Sequence, residues 1–183
     1  IAPLINVSGF SHRTMSMVYE DNKNLNREFP GAAGGTTAEQ ICHTVATELI
    51  HRADYYIDLH CGDGYEALRP YAYYVGPVDP AVREKAFQMA RRVKAEYLVE
   101  SQCTTGGAYN YASSIGIPSV LIERGGQGIW SRGEVDLDKG DVRRILSYLR
   151  ILDPPEAEDA PEPQIIFREA VYENAPESGC WYP

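Results

Sequence analysis

The 183-residue chain is 44% hydrophobic and 23% charged, an ordinary balance for a soluble globular protein that builds its core without disulfides. Its net charge of −9 excludes a nucleic-acid binder, which needs a Lys/Arg-rich surface against phosphates. No stretch approaches the roughly 18 consecutive apolar residues that span a bilayer, so no membrane partner is expected.

In chain order, the apolar run Ile1 to Val7, ended by Ser8-Gly9, reads as a buried strand and a turn. Residues 8–36 lack periodicity and read as a long irregular loop, a feature that in compact domains tends to be functional. Thr36 and Glu39 form a T-x-x-E capping box for a helix with Ile41, Val45 and Leu49 on one stripe. Ala53 to His60 reads as a strand buried on both faces, and Pro70 to Val75 as another. Helices are expected over Asp79 to Ala95, Gly107 to Ile115 and Asp138 to Leu152, with strands over Tyr97 to Glu100 and Ser119 to Glu123. Strands alternating with helices predict an α/β domain, a central mostly parallel or mixed sheet flanked by helices.

The expected domain covers residues 1–152. Residues 153–163 (DPPEAEDAPEP) carry four prolines and five carboxylates and read as a stiff, solvated linker. Residues 164–183 read as the start of a β-rich module. Cysteines at 42, 61, 103 and 180 have no paired spacing, so they read as free thiols in a reducing compartment. With no signal peptide in view, a cytoplasmic protein is expected. The chain starts at Ile1 and breaks off in a strand-like run, so both ends read as cuts.

Ligands of open α/β sheets bind beyond the carboxyl ends of strands. Three polar groups are expected there: the loop after Val7, His60 and Glu123. An imidazole at a strand end can bind zinc through one nitrogen while a carboxylate holds the other, and Asp58 shares the strand face of His60. A neighbouring carboxylate can act as general base on a water. By spacing alone His60 reads more readily as an ordinary hydrogen-bonded histidine than as a ligand. Arg13, Asn26 and Arg27 lie in the loop near the same end of the sheet. They suit either a bidentate grip on a carboxylate or surface ion pairs with Glu20, Asp21 or Glu28.

Four segments together resemble a known family. Asn24-Leu25-Asn26-Arg27-Glu28-Phe29-Pro30-Gly31 is similar to the DLNRxFPG signature of the succinylglutamate desuccinylase/aspartoacylase family, within the wider zinc carboxypeptidase clan. Ile57-Asp58-Leu59-His60-Cys61-Gly62-Asp63 resembles its strand bearing the third zinc ligand. Gly116-Ile117-Pro118-Ser119 through Glu123-Arg124-Gly125-Gly126 resembles the segment carrying its catalytic glutamate. Asn6, Gly9, Phe10 and Arg13 resemble its N-P-x-G-F stretch, with Val7 where proline is common. The resemblance implies a zinc carboxypeptidase-like fold and a zinc-dependent deacylase or amidohydrolase acting on a small N-acylated amino acid or amine, with a homo-oligomer allowed. It implies zinc ligation by His60, general-base catalysis by Glu123, oxyanion stabilisation by Arg13, and substrate binding by Asn26 and Arg27. Two further zinc ligands, from an H-x-x-E motif, would lie upstream of residue 1, so this chain alone is expected to hold no zinc and to be inactive. His51-Arg52-Ala53-Asp54 reads as structural. A peptide-cleaving zinc carboxypeptidase and a metal-free, non-catalytic domain of the same fold are the alternatives.

Overall fold

A computed structural model describes residues 2–103, 105–153, 164–171 and 176–179. Its centre is a five-stranded mixed sheet: β1 (Tyr56–His60), β2 (Tyr71–Val75), β3 (Tyr97–Ser101), β4 (Ser119–Glu123) and β5 (Ile165–Phe167). The spatial order is β1-β4-β2-β3-β5. β1 and β4 run parallel, β2 runs antiparallel to β4, and β2, β3 and β5 are mutually parallel along their pairings. The expected α/β class is therefore found, with the mixed alternative realised.

Strand alternation sends successive side chains to opposite faces. On one face Ala72, Tyr74, Leu98, Val120 and Ile122 meet Ala86, Met89 and Ala90 of α3 (Pro80–Ala90) and Ile145 of α5 (Arg132–Tyr148). On the other, Val75, Tyr109 and Leu121 form one cluster. Val45 and Ile50 form a second with Ala108 and Ala112, joining α2 (Thr37–Glu48) to α4 (Ala108–Ser114). β4 is covered on both sides. Each fully buried Val, Leu or Ile there contributes about 1.5–3 kcal/mol, which makes β4 the best-anchored strand of the sheet.

The Thr36 capping box is formed: the Glu39 carboxylate accepts from the Thr36 N–H at 2.7 Å. A second box of the same type, Ser131 with Glu134, starts α5 six residues before the expected Asp138. The expected strand over Ile1 to Val7 is not present among the described residues. Instead Val7–His12 forms a short helix, α1, whose N-cap Asn6 accepts from the Gly9 N–H at 2.9 Å and donates to the Met17 carbonyl at 2.8 Å. A short apolar run does not by itself distinguish strand from helix, and here the polar cap decides. Within the expected loop, Leu25–Arg27 makes a 3₁₀ turn. α3 ends at Ala90, five residues early. Residues 154–163 of the expected linker lie outside the described residues, and Ile165–Phe167 beyond it pairs with β3 as an edge strand of this sheet. No helix among the described residues is long and apolar enough to cross a membrane.

Candidate active site

Paired positions of β1 and β4 are 63 residues apart in sequence but adjacent in the sheet, and their parallel register sets His60 directly beside Glu123. Both are last residues of their strands, and both side chains turn to the α2/α4 face, the face of Leu121. His60 Nδ1 lies 3.8 Å from Glu123 Oε1, and His60 Nε2 lies 3.3 Å from Asp58 Oδ1. A carboxylate on Nε2 favours the tautomer protonated there, leaving Nδ1 as the nitrogen turned toward Glu123.

They open into a cleft of about 810 Å³ whose walls include Asn26, Arg27, Asp63, Glu66, Tyr73, Tyr109 and Asn110, large for a small-molecule site. Asn26 arrives there because its Oδ1 accepts from the Ala108 N–H at 2.8 Å, capping α4, while Asn24 Oδ1 accepts from the Asn26 N–H at 2.9 Å. Gly106, at φ +77°, allows this approach, since a Cβ there would strike the backbone of Arg27. Arg27 Nη1 donates to the Asn26 carbonyl at 2.7 Å. Among the described residues no carboxylate pairs with Arg27: Glu28 pairs with Lys23 at 3.3 Å, and Asp21 accepts from the Ala38 N–H at 2.7 Å. The ion-pair alternative for Arg27 is therefore not realised there, and a guanidinium without an ion-pair partner among the described residues borders the cleft. Arg13 is placed differently. It is the exposed C-cap of α1, in left-handed conformation, and is not among the cleft walls.

The opposite wall is acidic. Glu66 Oε2 accepts from the Asp63 N–H at 3.0 Å, and this loop packs on the turn after Glu123, where the Gln127 N–H donates to the Asp63 and Glu66 carbonyls. Gly126 has no room for a Cβ against the Glu66 carbonyl. Burial raises the pKa of Glu123; His60 opposes the shift, while Glu66, Asp58 and Asp63 add to it. For His60 burial pulls the pKa down, but Asp58 and Glu123 outweigh it and the net shift is upward. Burial also raises the pKa of Cys61, which disfavours its reactive thiolate form. Cys42, Cys61 and Cys103 are free.

Sequence reasoning did not single out Asn110. It is 1% exposed, donates to the Gln102 carbonyl at 2.6 Å, accepts from Thr105 Oγ1 at 2.7 Å, and so holds the far wall. An Asn inside an expected helix, where its side chain competes with the backbone, is the signal the sequence offers. His51 sits away from the cleft with Nε2 2.7 Å from the Tyr111 hydroxyl, in keeping with a structural role.

The succinylglutamate desuccinylase/aspartoacylase catalytic domain family matches residues 1–149. No curated protein matches. Among solved structures, the product-bound Ectoine utilization protein EutE (DoeB) from Ruegeria pomeroyi is 28% identical. Its TM-score is 0.77 over 90% of this chain and 49% of that one. A succinylglutamatedesuccinylase/aspartoacylase from Rhodobacter sphaeroides is 23% identical, with a TM-score of 0.79 over 92% of this chain and 51% of that one; this second likeness speaks to the fold. The chain thus spans about half the length of these relatives. With the family match covering most of its residues, the chain belongs to the succinylglutamate desuccinylase/aspartoacylase family.

Proposed function

We propose that the protein of which this chain forms part is a zinc-dependent deacylase that hydrolyses the amide bond of a small N-acylated amino acid or amine. The observation that carries the reading is the juxtaposition of His60 and Glu123, 3.8 Å apart on adjoining strand ends, in a cleft bordered by Arg27. Family membership and a product-bound relative named for ectoine utilization support a small-molecule substrate.

Among the described residues no three His, Cys, Asp or Glu side chains converge as a metal-ligand set, and His60 is the residue proposed among them as a zinc ligand. Zinc, when bound, supplies Lewis-acid polarisation of the carbonyl and acidifies water. The steps assigned here belong to the chain's own groups. Asp58 orients the His60 ring. Glu123, with its pKa raised by burial, accepts the proton of the attacking water and delivers it to the leaving nitrogen. Arg27 and Asn26 hold the substrate's non-reacting polar end. Arg13 is given the developing oxyanion by its motif position and not by the walls of the cleft. Free cysteines support a reducing, cytoplasmic setting.

The test is an assay of the complete enzyme against N-acetyl and N-succinyl amino acids, and against peptides with free carboxyl termini. Release of free amino acid from the acylated substrates is expected. Cleavage of C-terminal peptide bonds alone would contradict it and favour a carboxypeptidase.

A further inference from the structure

Next to Glu123 is a buried cation to which the proposed chemistry gives no role. Arg124 turns to the opposite face, its side chain only 3% exposed. Its Nε donates to Asp138 Oδ1 at 2.7 Å and its Nη2 to Asp141 Oδ2 at 2.5 Å, with a longer bond from Nη2 to the Lys94 carbonyl at 3.3 Å. Asp141 is fully buried and also accepts from the Lys94 N–H at 2.8 Å and from Arg144, which donates to the Arg92 carbonyl at 2.8 Å. One network therefore ties the end of β4 to α5 and to the turn after α3.

Buried ion pairs are a weak source of stability, since apolar residues of similar volume often do as well. What a guanidinium shared between two fixed carboxylates does provide is direction. The backbone so directed is the clamp between the two site residues. The Arg124 N–H donates to the His60 carbonyl at 3.1 Å, and the Gly62 N–H to the Gly125 carbonyl at 3.4 Å. Pairing of β1 with β4 thus continues past His60 and Glu123, where both chains leave the sheet.

We propose that Arg124 is a positioning residue: anchored on Asp138 and Asp141, it holds the β4 terminus so that Glu123 and His60 keep their mutual placement. The kinetic readout rests on the deacylase reading; the placement itself does not.

The experiment compares Arg124→Lys, Asp138→Asn and, as a control for lost stability alone, Ile145→Val in the complete enzyme, acting on an N-acylated amino acid that the parent hydrolyses. A lysine ammonium cannot span both carboxylates. Arg124→Lys is expected to lower kcat roughly 10- to 100-fold with KM unchanged, the scale of a sub-ångström to ångström misplacement. Asp138→Asn should give a smaller loss of the same kind, and Ile145→Val a lower melting temperature with parental kcat per folded molecule. Parental kcat per folded Arg124→Lys would overturn the proposal and leave Arg124 a purely structural group. If that variant does not fold, Asp138→Asn decides: a kcat loss at constant KM supports the proposal, and parental kcat overturns it. A parent that hydrolyses no acylated amino acid would sink the deacylase reading instead. The imidazole resonances of His60 then decide, and they should move in Arg124→Lys and stay fixed in Ile145→Val. Unmoved resonances in Arg124→Lys would overturn the placement claim.

Discussion

At the scale of single residues, the cleft separates groups by what they can reach. Arg27 borders it with no carboxylate partner among the described residues, whereas Arg13 caps α1 in solvent. A group that grips the non-reacting end of a substrate stabilises ground and transition states alike, so its loss appears in KM. Arg27→Ala is expected to raise KM on the order of 10- to 150-fold, the cost of a charge-assisted contact of about 1.5–3 kcal/mol. Arg27→Lys should not restore it, because an ammonium lacks the planar fork. Arg13→Ala should lower kcat and kcat/KM together; steady-state kinetics with unchanged kcat would remove it from the site. The motif around Asn26 and Arg27 was legible in the sequence. Their mode of support was not, because Asn26 reaches the N–H of Ala108, eighty-two residues away. Nor could Arg124 be read: beside Glu123 it resembles an ion-pair partner, yet strand alternation sends it to Asp138 and Asp141 on the other face.

Among the elements, local chemistry was legible where it was self-contained. The T-x-x-E box starts α2 as expected; the equivalent Ser131–Glu134 box is harder to read, because Gly133 and polar residues dilute the apolar stripe at the start of α5. The apolar N-terminal run misleads because strand formation needs a neighbour to pair with, which sequence does not display. Between elements, α3 is tied to β3 by Arg83, whose Nη2 lies 2.6 Å from Glu100 Oε2, and the Tyr74 hydroxyl donates to the same oxygen at 2.8 Å. Burial pushes the Glu100 pKa up, but Arg83 and Tyr74 outweigh it and the net shift is downward. A carboxylate with a depressed folded-state pKa contributes stability above its unfolded value of about 4.3. That contribution is lost as pH falls through the lower folded value, and partial exposure of the pair keeps it modest. Melting temperatures measured from neutral pH down through this range should therefore fall less steeply for Glu100→Gln than for the parent. Parallel pH profiles would show that the cluster contributes nothing to acid stability.

For the whole molecule, the fold class followed from alternating strand and helix patterns, but the strand order β1-β4-β2-β3-β5 did not. That order alone puts His60 next to Glu123 and makes a pair of separate strand ends into one site. It also recruits Ile165–Phe167 to the sheet edge, although its composition reads as the opening of another module. The chain spans about half the length of its solved relatives, and the central claim is tested in the full-length protein. That claim is that Glu123 is the general base. Glu123→Gln keeps the shape of the side chain and removes its basicity, so turnover of an N-acylated amino acid by the complete enzyme should fall by ~10²-fold or more, with melting temperature preserved. Near-parental turnover per folded molecule would contradict the account and reduce Glu123 to a structural carboxylate.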